Sequence, residues 1–224
     1  MEVTPADPSS SPSRPAGEPV SRAFFERSSA EVGRDLIGKV LWRDGVGGGR
    51  LTEVEAYLPE DDPACHAYRG RTARNAAMFG APGTIYVFRS YGIHLLLNLV
   101  CDVEGVGSAV LVRSFEPLGD TRRLQANRGM AVPRALGDSQ RQASFRRLGT
   151  GPGRVGQALA VGLDLNGREL GEASGVFVID DGRHADVACS TRIGISRGDT
   201  LQLRYYLQGS SYISGSRPTK GEGT

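Results

Sequence analysis

Lysine is nearly missing from this 224-residue chain: only Lys39 and Lys220 occur, although Lys and Arg together number 27. Arginine therefore carries nearly all the positive charge, and a mechanism that needs an amine to form a Schiff base has almost nothing to draw on. Cysteine is scarce as well. Cys65, Cys101 and Cys189 are far apart, odd in number and never in a CxxC pair, which argues against a disulfide framework and a structural zinc and leaves three free thiols. No apolar run reaches the roughly 18 residues of a membrane span, and no charged head followed by an apolar stretch marks a secretory signal. Neither a membrane nor an export route is expected. There is no Walker loop, no GxSxG and no His/Cys/Asp set at metal spacing, and the glycines of GVGGG at 45–49 lack the strand-to-helix context of a dinucleotide site. No metal or cofactor is expected.

What is present is an ordinary globular composition, 39% hydrophobic and 23% charged, in a chain long enough to bury one core. The net charge of +2 is too mild to establish a nucleic-acid partner by itself. Its distribution says more. Arg122, Arg123, Arg128, Arg134, Arg141, Arg146, Arg147 and Arg154 face only Asp120 and Asp138 between Leu118 and Arg154, an excess suited to tracking phosphates or, equally, to a solvated helical face.

Residues 1–20 are rich in Pro, Ser and Ala without apolar periodicity, and 215–224 have the same character. They are expected to be a disordered arm and a flexible tail around one folded body, 21–214. Within it, Ser28 and Glu31 form a capping-box pattern ahead of a short helix ending near Gly38. Residues 39–43 and 50–57 read as a hairpin joined by a flexible turn at 45–49. Its second strand sets Leu51, Glu53, Glu55 and Tyr57 on one face and Thr52, Val54 and Ala56 on the buried one. Residues 84–88 and 93–100 read as strands joined around Ser90, Tyr91 and Gly92, followed by a strand at 109–115. Helical patterns occupy 119–148 and 152–161, before late strands near 175–179, 188–194 and 201–207. This order predicts an α+β fold, a single compact domain with a mainly antiparallel sheet.

Four kinds of residue stand out chemically. Glu55, near the end of a half-buried strand, has the position of a general base, with Glu53 as its competitor. Arg113, in the apolar strand AVLVRSF, needs a carboxylate or phosphate partner unless it reaches solvent from an edge, and Glu55 is a candidate for that partner. Tyr57, Tyr86, Phe88, Tyr91 and Tyr206 cluster in or beside strands, where flat rings either fill a core or sandwich an unstacked base. Tyr91 sits in the turn RSYGI, with little core to enter. His66, in the loop CHAYRG, stacks, hydrogen-bonds or caps a turn. The segment GTGPGR opens a helix, so its amides and Arg154 are placed to hold a phosphate, although Gly-Pro is also simply how a helix begins.

The ordered set EVEAYL, CHAYRGRTARNAAMF, PGTIYVFRSYGIHLLLN, VLVRSFEPL and GTGPGRVGQALA resembles the alkyladenine (3-methyladenine) DNA glycosylase family over about Ala23 to Ser214. The resemblance implies a curved sheet flanked by helices, from which a hairpin protrudes into the DNA minor groove with Tyr91 as its wedge. It implies Glu55 as the general base, acting on a water held also by Arg113 and by the backbone carbonyl of Ile193 in TRIGIS. Tyr57 would form one wall of a base pocket and His66 with Phe88 the other, while Asn98 would exclude the 2-amino group of guanine. Phosphate contacts are assigned to Arg74 and Arg154. Phe88 departs from the tyrosine common in animal members, which keeps the ring and loses a hydroxyl, and His94 departs as well. The implied activity is monofunctional excision of alkylated or deaminated purines (3-methyladenine, ethenoadenine, hypoxanthine) from double-stranded DNA, without lyase activity. A non-catalytic damage-binding module is the alternative. A monomer is expected, cytoplasmic and nucleoid-associated in a bacterium or nuclear in a eukaryote.

Overall fold

Short elements laid edge to edge dominate the computed structural model, which describes residues 12–130 and 138–215. In chain order they are β1 (Glu18–Pro19), α1 (Ser29–Leu36), β2 (Val40–Arg43), β3 (Gly47–Tyr57), β4 (Ile85–Ser90), β5 (His94–Val100), β6 (Ala109–Leu118), α2 (Arg122–Asn127), α3 (Asp138–Gly149), α4 (Pro152–Ala158), β7 (Val176–Asp180), β8 (Val187–Ser190) and β9 (Arg204–Leu207). Every strand pairing is antiparallel, in the order β1-β7-β2-β3-β6-β5-β4, with β9 joined to both β3 and β8. The α+β reading is borne out. Among the described residues no helix is long and apolar enough to cross a membrane.

The Ser28 hydroxyl accepts from the Glu31 amide and the Glu31 carboxylate accepts from the Ser28 amide, so the reciprocal cap forms as the sequence implies. Helix α1 buries Val32 and Leu36, and α4 buries Val155 and Ala158, in the core that also takes Val54, Ala56, Leu97 and Val112 from the sheet. Pro152 stands in the first turn of α4, where its missing N–H costs no helical bond.

Strand β3 positions the chemistry. One edge pairs with β6 along most of its length, while the other pairs first with β2, through Gly47–Arg50, and then with β9, through Glu53–Glu55. The sheet therefore branches at the two glutamates. A register shift between Leu51 and Val54 accompanies the branch, and it breaks the simple alternation expected from the sequence: Leu51 joins Val54 and Ala56 in the apolar core. Glu53 and Glu55 do not project to solvent at all but are fully buried.

Of the glycines expected as a flexible turn, Gly45 lies in one, whereas Gly47, Gly48 and Gly49 are strand. Gly48 lies so close to β2 that a Cβ there would stand 2.0 Å from the Leu41 carbonyl oxygen, and one at Gly49 would stand 2.2 Å from the Glu116 carbonyl oxygen. Neither obstacle is a side chain that can swing away. Gly48→Ala is accordingly expected to cost about 3 kcal/mol of stability. Urea denaturation checks this, and a loss under about 0.5 kcal/mol, the range of an ordinary surface change, would contradict it.

The described part of the N-terminal arm differs from the expected disorder. Glu18 and Pro19 pair with Asp180 and Ile179, and the Val20 amide donates to the Val178 carbonyl. Arg14 bonds Asp44 and Glu172 while its guanidinium lies 3.6 Å from the centre of the Phe177 ring. An exposed sheet edge supplies these partners, so the segment needs no apolar pattern of its own. Residues 1–11 and the tail from 216 lie outside the described residues, as do Arg134 and the side chain of Arg141.

Candidate active site

Two buried acids on one strand demand cations. Arg113, on the neighbouring β6, meets both: its Nε donates to Glu53 Oε1 at 3.0 Å and its Nη1 to Glu55 Oε2 at 3.0 Å. The partner expected for Arg113 is thus the right one, although it is shared. Glu53 also accepts from Arg204 Nε at 2.7 Å, the Ser114 hydroxyl at 2.9 Å, the Ser214 hydroxyl at 2.9 Å and the Ser214 amide at 2.5 Å. Burial alone would raise the pKa of Glu53, but Arg113, Arg204 and the Ser214 amide together outweigh it and hold the carboxyl below its ordinary range.

Glu53 is therefore an ionised anchor with its lone pairs committed, which removes it as competitor to Glu55. Because its folded-state pKa lies below the ordinary value of 4.5, its contribution to stability is present above that value and lost as pH falls through the lower folded value. The stability of Glu53→Gln should accordingly respond less to acid than that of wild type. Urea midpoints measured at a series of pH values below 6 check this, and parallel curves would contradict it.

Glu55 has a different environment. Its Oε1 accepts from the Ile193 amide at 2.8 Å, and its Oε2 accepts from Arg113 and from the Tyr57 hydroxyl at 3.1 Å. Burial and the adjacent carboxylate push the Tyr57 hydroxyl far above the ordinary phenol range, so it remains a donor. Ile193 lies beyond the end of β8, not in the strand expected over 188–194, and the contact it makes with Glu55 is through its N–H.

A cavity of about 340 Å³ opens beside this carboxylate, within the range of roughly 300–1,000 Å³ that holds small ligands. Arg113, Ile193, Tyr57, His66, Phe88, Asn98 and Tyr91 all line it. Seven of the residues singled out by sequence thus share one cavity, with Glu55 bonded to three of them. The His66 and Phe88 rings stand 4.4 Å apart at 77°, and Tyr86 stacks at 5.7 Å from Phe88. Asn98 donates from Nδ2 to the Tyr86 carbonyl at 3.0 Å, which ties its side chain to the β4–β5 pair.

Tyr86, which nothing in the sequence sets apart from the other strand aromatics, lines the same cavity. Its hydroxyl lies 2.9 Å from His66 Nδ1, so the hydroxyl absent from Phe88 has a counterpart two residues away. Burial, offset in part by Arg74, raises Tyr86 to about 12, and burial with the charge of Arg74 lowers the pKa of His66. His66 is neutral at neutral pH. Asn75 fixes the His66 loop from behind by donating to the His66 and Gly70 carbonyls at 2.8 and 3.0 Å.

The tip of the β4–β5 hairpin carries Tyr91 at φ 48° and Gly92 at φ 74°, with the Ile93 amide donating to the Ser90 carbonyl at 3.1 Å. Two positive φ values match a mirror-image tight turn, in which tyrosine at the first position is strained. Tyr91 is 90% exposed and Ile93 71%. Arg154 lines a second depression on the other side of Tyr91, and Arg74 is exposed near His66 and Tyr86. The helix opening expected to offer free amides does so only in part, since the Gly151 amide already donates to the Arg113 carbonyl at 2.9 Å.

The sheet thus sets a buried, cation-paired carboxylate beside an aromatic cavity with room for a flat ligand. Residues 23–211 match the methylpurine-DNA glycosylase family, and the chain belongs to it. Among its relatives is a protein of Burkholderia orbicola, 42% identical over 205 residues that cover 90% of this chain and 94% of the relative. Proteins of Koribacter versatilis (41% identical, 89% and 94% covered) and Rubrobacter xylanophilus (42% identical, 84% and 94% covered) are comparably similar. All three carry the name "Putative 3-methyladenine DNA glycosylase".

Proposed function

We propose that this protein excises alkylated and deaminated purines, 3-methyladenine, ethenoadenine and hypoxanthine among them, from double-stranded DNA by base flipping and hydrolysis. The observation that carries the reading is the juxtaposition of the buried Glu55 carboxylate with a cavity lined by Tyr57, His66 and Phe88. Tyr91 enters the duplex and fills the space of the extruded nucleotide, at the cost of unstacking that damaged pairs lower. The base lies between Tyr57 and the His66/Phe88 wall. Asn98, held by the Tyr86 carbonyl, cannot swing away from a 2-amino group, so guanine is excluded by contact. Arg74 and Arg154 bind phosphates on either side.

Glu55 takes a proton from a water that Arg113 and the Ile193 carbonyl help to hold. The water oxygen bonds to the sugar C1′ as the C1′–N bond breaks, and that bond's electron pair leaves with the purine. Charge developing on the sugar is stabilised by the same carboxylate. Neutral His66 adds no repulsion to a cationic lesion. In the tautomer in which the Tyr86 hydroxyl donates to Nδ1, His66 carries its proton on Nε2 and can offer it to the base.

Lyase activity is not part of this reading, for Lys39 is engaged with Asp180 at 2.8 Å and no lysine stands in the Glu55 motif. One pocket serves one nucleotide, and the protein acts as a monomer. The test is incubation with duplexes bearing a single ethenoadenine or hypoxanthine, reading free base and strand breaks before and after alkali. Free base with breaks only after alkali supports the assignment. Lesion binding without any base release would favour a damage-binding module.

A further inference from the structure

Arg192 and Asp62 are 130 residues apart in sequence, and neither side chain is exposed at all. They meet in two bonds of 2.6 Å, Nη1 to Oδ2 and Nη2 to Oδ1. A buried pair like this gains little over apolar side chains of the same shape, and here Arg192 Nε is additionally buried without a partner among the described residues. Stability alone does not account for it. Neither residue lines the aromatic cavity, so direct contact with a base does not account for it either.

What the pair holds is more informative. Arg192 Nη1 also donates to the carbonyl of Ala56, the residue between Glu55 and Tyr57, at 2.9 Å. The guanidinium lies 4.6 Å from the centre of the Tyr57 ring. The next residue along the chain is Ile193, whose amide donates to Glu55. On the other side, Asp62 accepts from the Leu58 amide at 3.0 Å and the Ala64 amide at 3.2 Å, which fixes the loop that runs on to His66. One ion pair therefore joins the strand carrying Glu55, the ring that forms one cavity wall, the loop that forms the other and the peptide that orients the carboxylate.

We propose that Asp62 and Arg192 are positioning residues that hold Glu55, Tyr57 and His66 in mutual register for the chemical step. The proposal rests on the reading of Glu55 as the base. Without the pair, the Ile193 amide and the Tyr57 ring lose their common tether, and Glu55 loses the fixed orientation that one of its oxygens receives from Ile193. Misplacement of a reacting group by about 1 Å costs roughly 100-fold in rate, whereas DNA contacts made by the hairpin and the surface arginines are left in place.

The test replaces the pair by apolar side chains of similar size, Arg192→Met with Asp62→Leu, and measures three quantities beside wild type and Glu55→Gln. These are the melting temperature, the Kd for a duplex carrying a tetrahydrofuran abasic analogue, and the single-turnover rate of ethenoadenine release. The expected result is a folded protein with a lowered melting temperature, because the Leu58 and Ala64 amides and the Ala56 carbonyl lose their partners, an unchanged Kd, and a rate about 100-fold below wild type. A folded double variant that keeps the wild-type rate overturns the proposal, as does one whose rate and affinity fall together. Should the double variant not fold, Arg192→Lys provides the same split, since a single ammonium cannot reproduce the two-armed bond. Wild type that releases no base sinks the reading of Glu55 and this proposal together, while active wild type with an equally active double variant sinks the positioning role alone.

Discussion

Glu55→Gln is expected to bind lesion-bearing duplex like wild type and to release base about 1,000-fold more slowly, the middle of the range for loss of a general base. The amide keeps the shape of the carboxylate and cannot take a proton from water. It also cannot satisfy every donor around it. Ile193 N–H approaches one oxygen while Arg113 and the Tyr57 hydroxyl approach the other, so whichever end carries the NH2 faces a donor. A stability loss of about 1–3 kcal/mol follows, which leaves a folded protein whose binding can be measured. Single-turnover release of ethenoadenine, with anisotropy for affinity, separates the two effects. Loss of binding in step with loss of rate would show that Glu55 shapes the pocket and does not act on water.

Arg113→Met should be the most damaging change to stability within the site. Among the described residues Arg113 is the one side-chain cation bonded to Glu55, and it also bonds Glu53. Removing it leaves a fully buried carboxylate without its ion pair, and breaking a buried pair from one side costs about 3–5 kcal/mol. Glu53 suffers less, because Arg204 still holds it at 2.7 Å. Arg113→Lys keeps the charge but has one head group where two separate nitrogens of the guanidinium are used, and should fall between the two. Denaturant midpoints with a common slope measure the ranking. A methionine variant as stable as wild type would contradict this ranking and show that the Arg113–Glu55 pair contributes nothing to stability.

Much of this site was legible in the sequence, for a physical reason. Glu55 with Tyr57, and Phe88 with Tyr91, sit close together on single strands or their turn, so local pattern marks them as candidates, while their roles come from the family resemblance. The capping pair of Ser28 and Glu31 is local in the same way. Arrangements that depend on distant partners were not legible. The branch of the sheet at Glu53 arises because β9, whose Arg204 lies 151 residues beyond Glu53, replaces β2 along β3, and no alternation announces the accompanying register shift. Glu53 therefore looked like a rival of Glu55. A usable signal existed: Arg204 sits in the strand RYYL as Arg113 sits in AVLVRSF, and two strand arginines call for two buried acids. The glycines at 47–49 read as a turn because a close approach of backbones is invisible in composition. The arm residues 14–20 read as unordered because their partners are a sheet edge and the side chains of Asp44, Glu172 and Phe177.

The measurement closest to the central claim is a crystal structure of the Glu55→Gln protein with a duplex carrying one ethenoadenine. The expected result is the nucleotide outside the helix, its base between Tyr57 and the His66/Phe88 wall, Tyr91 in the vacated space, and the sugar C1′ turned toward residue 55. An ethenoadenine that stays stacked in the duplex, or a base lodged away from residue 55, would contradict it.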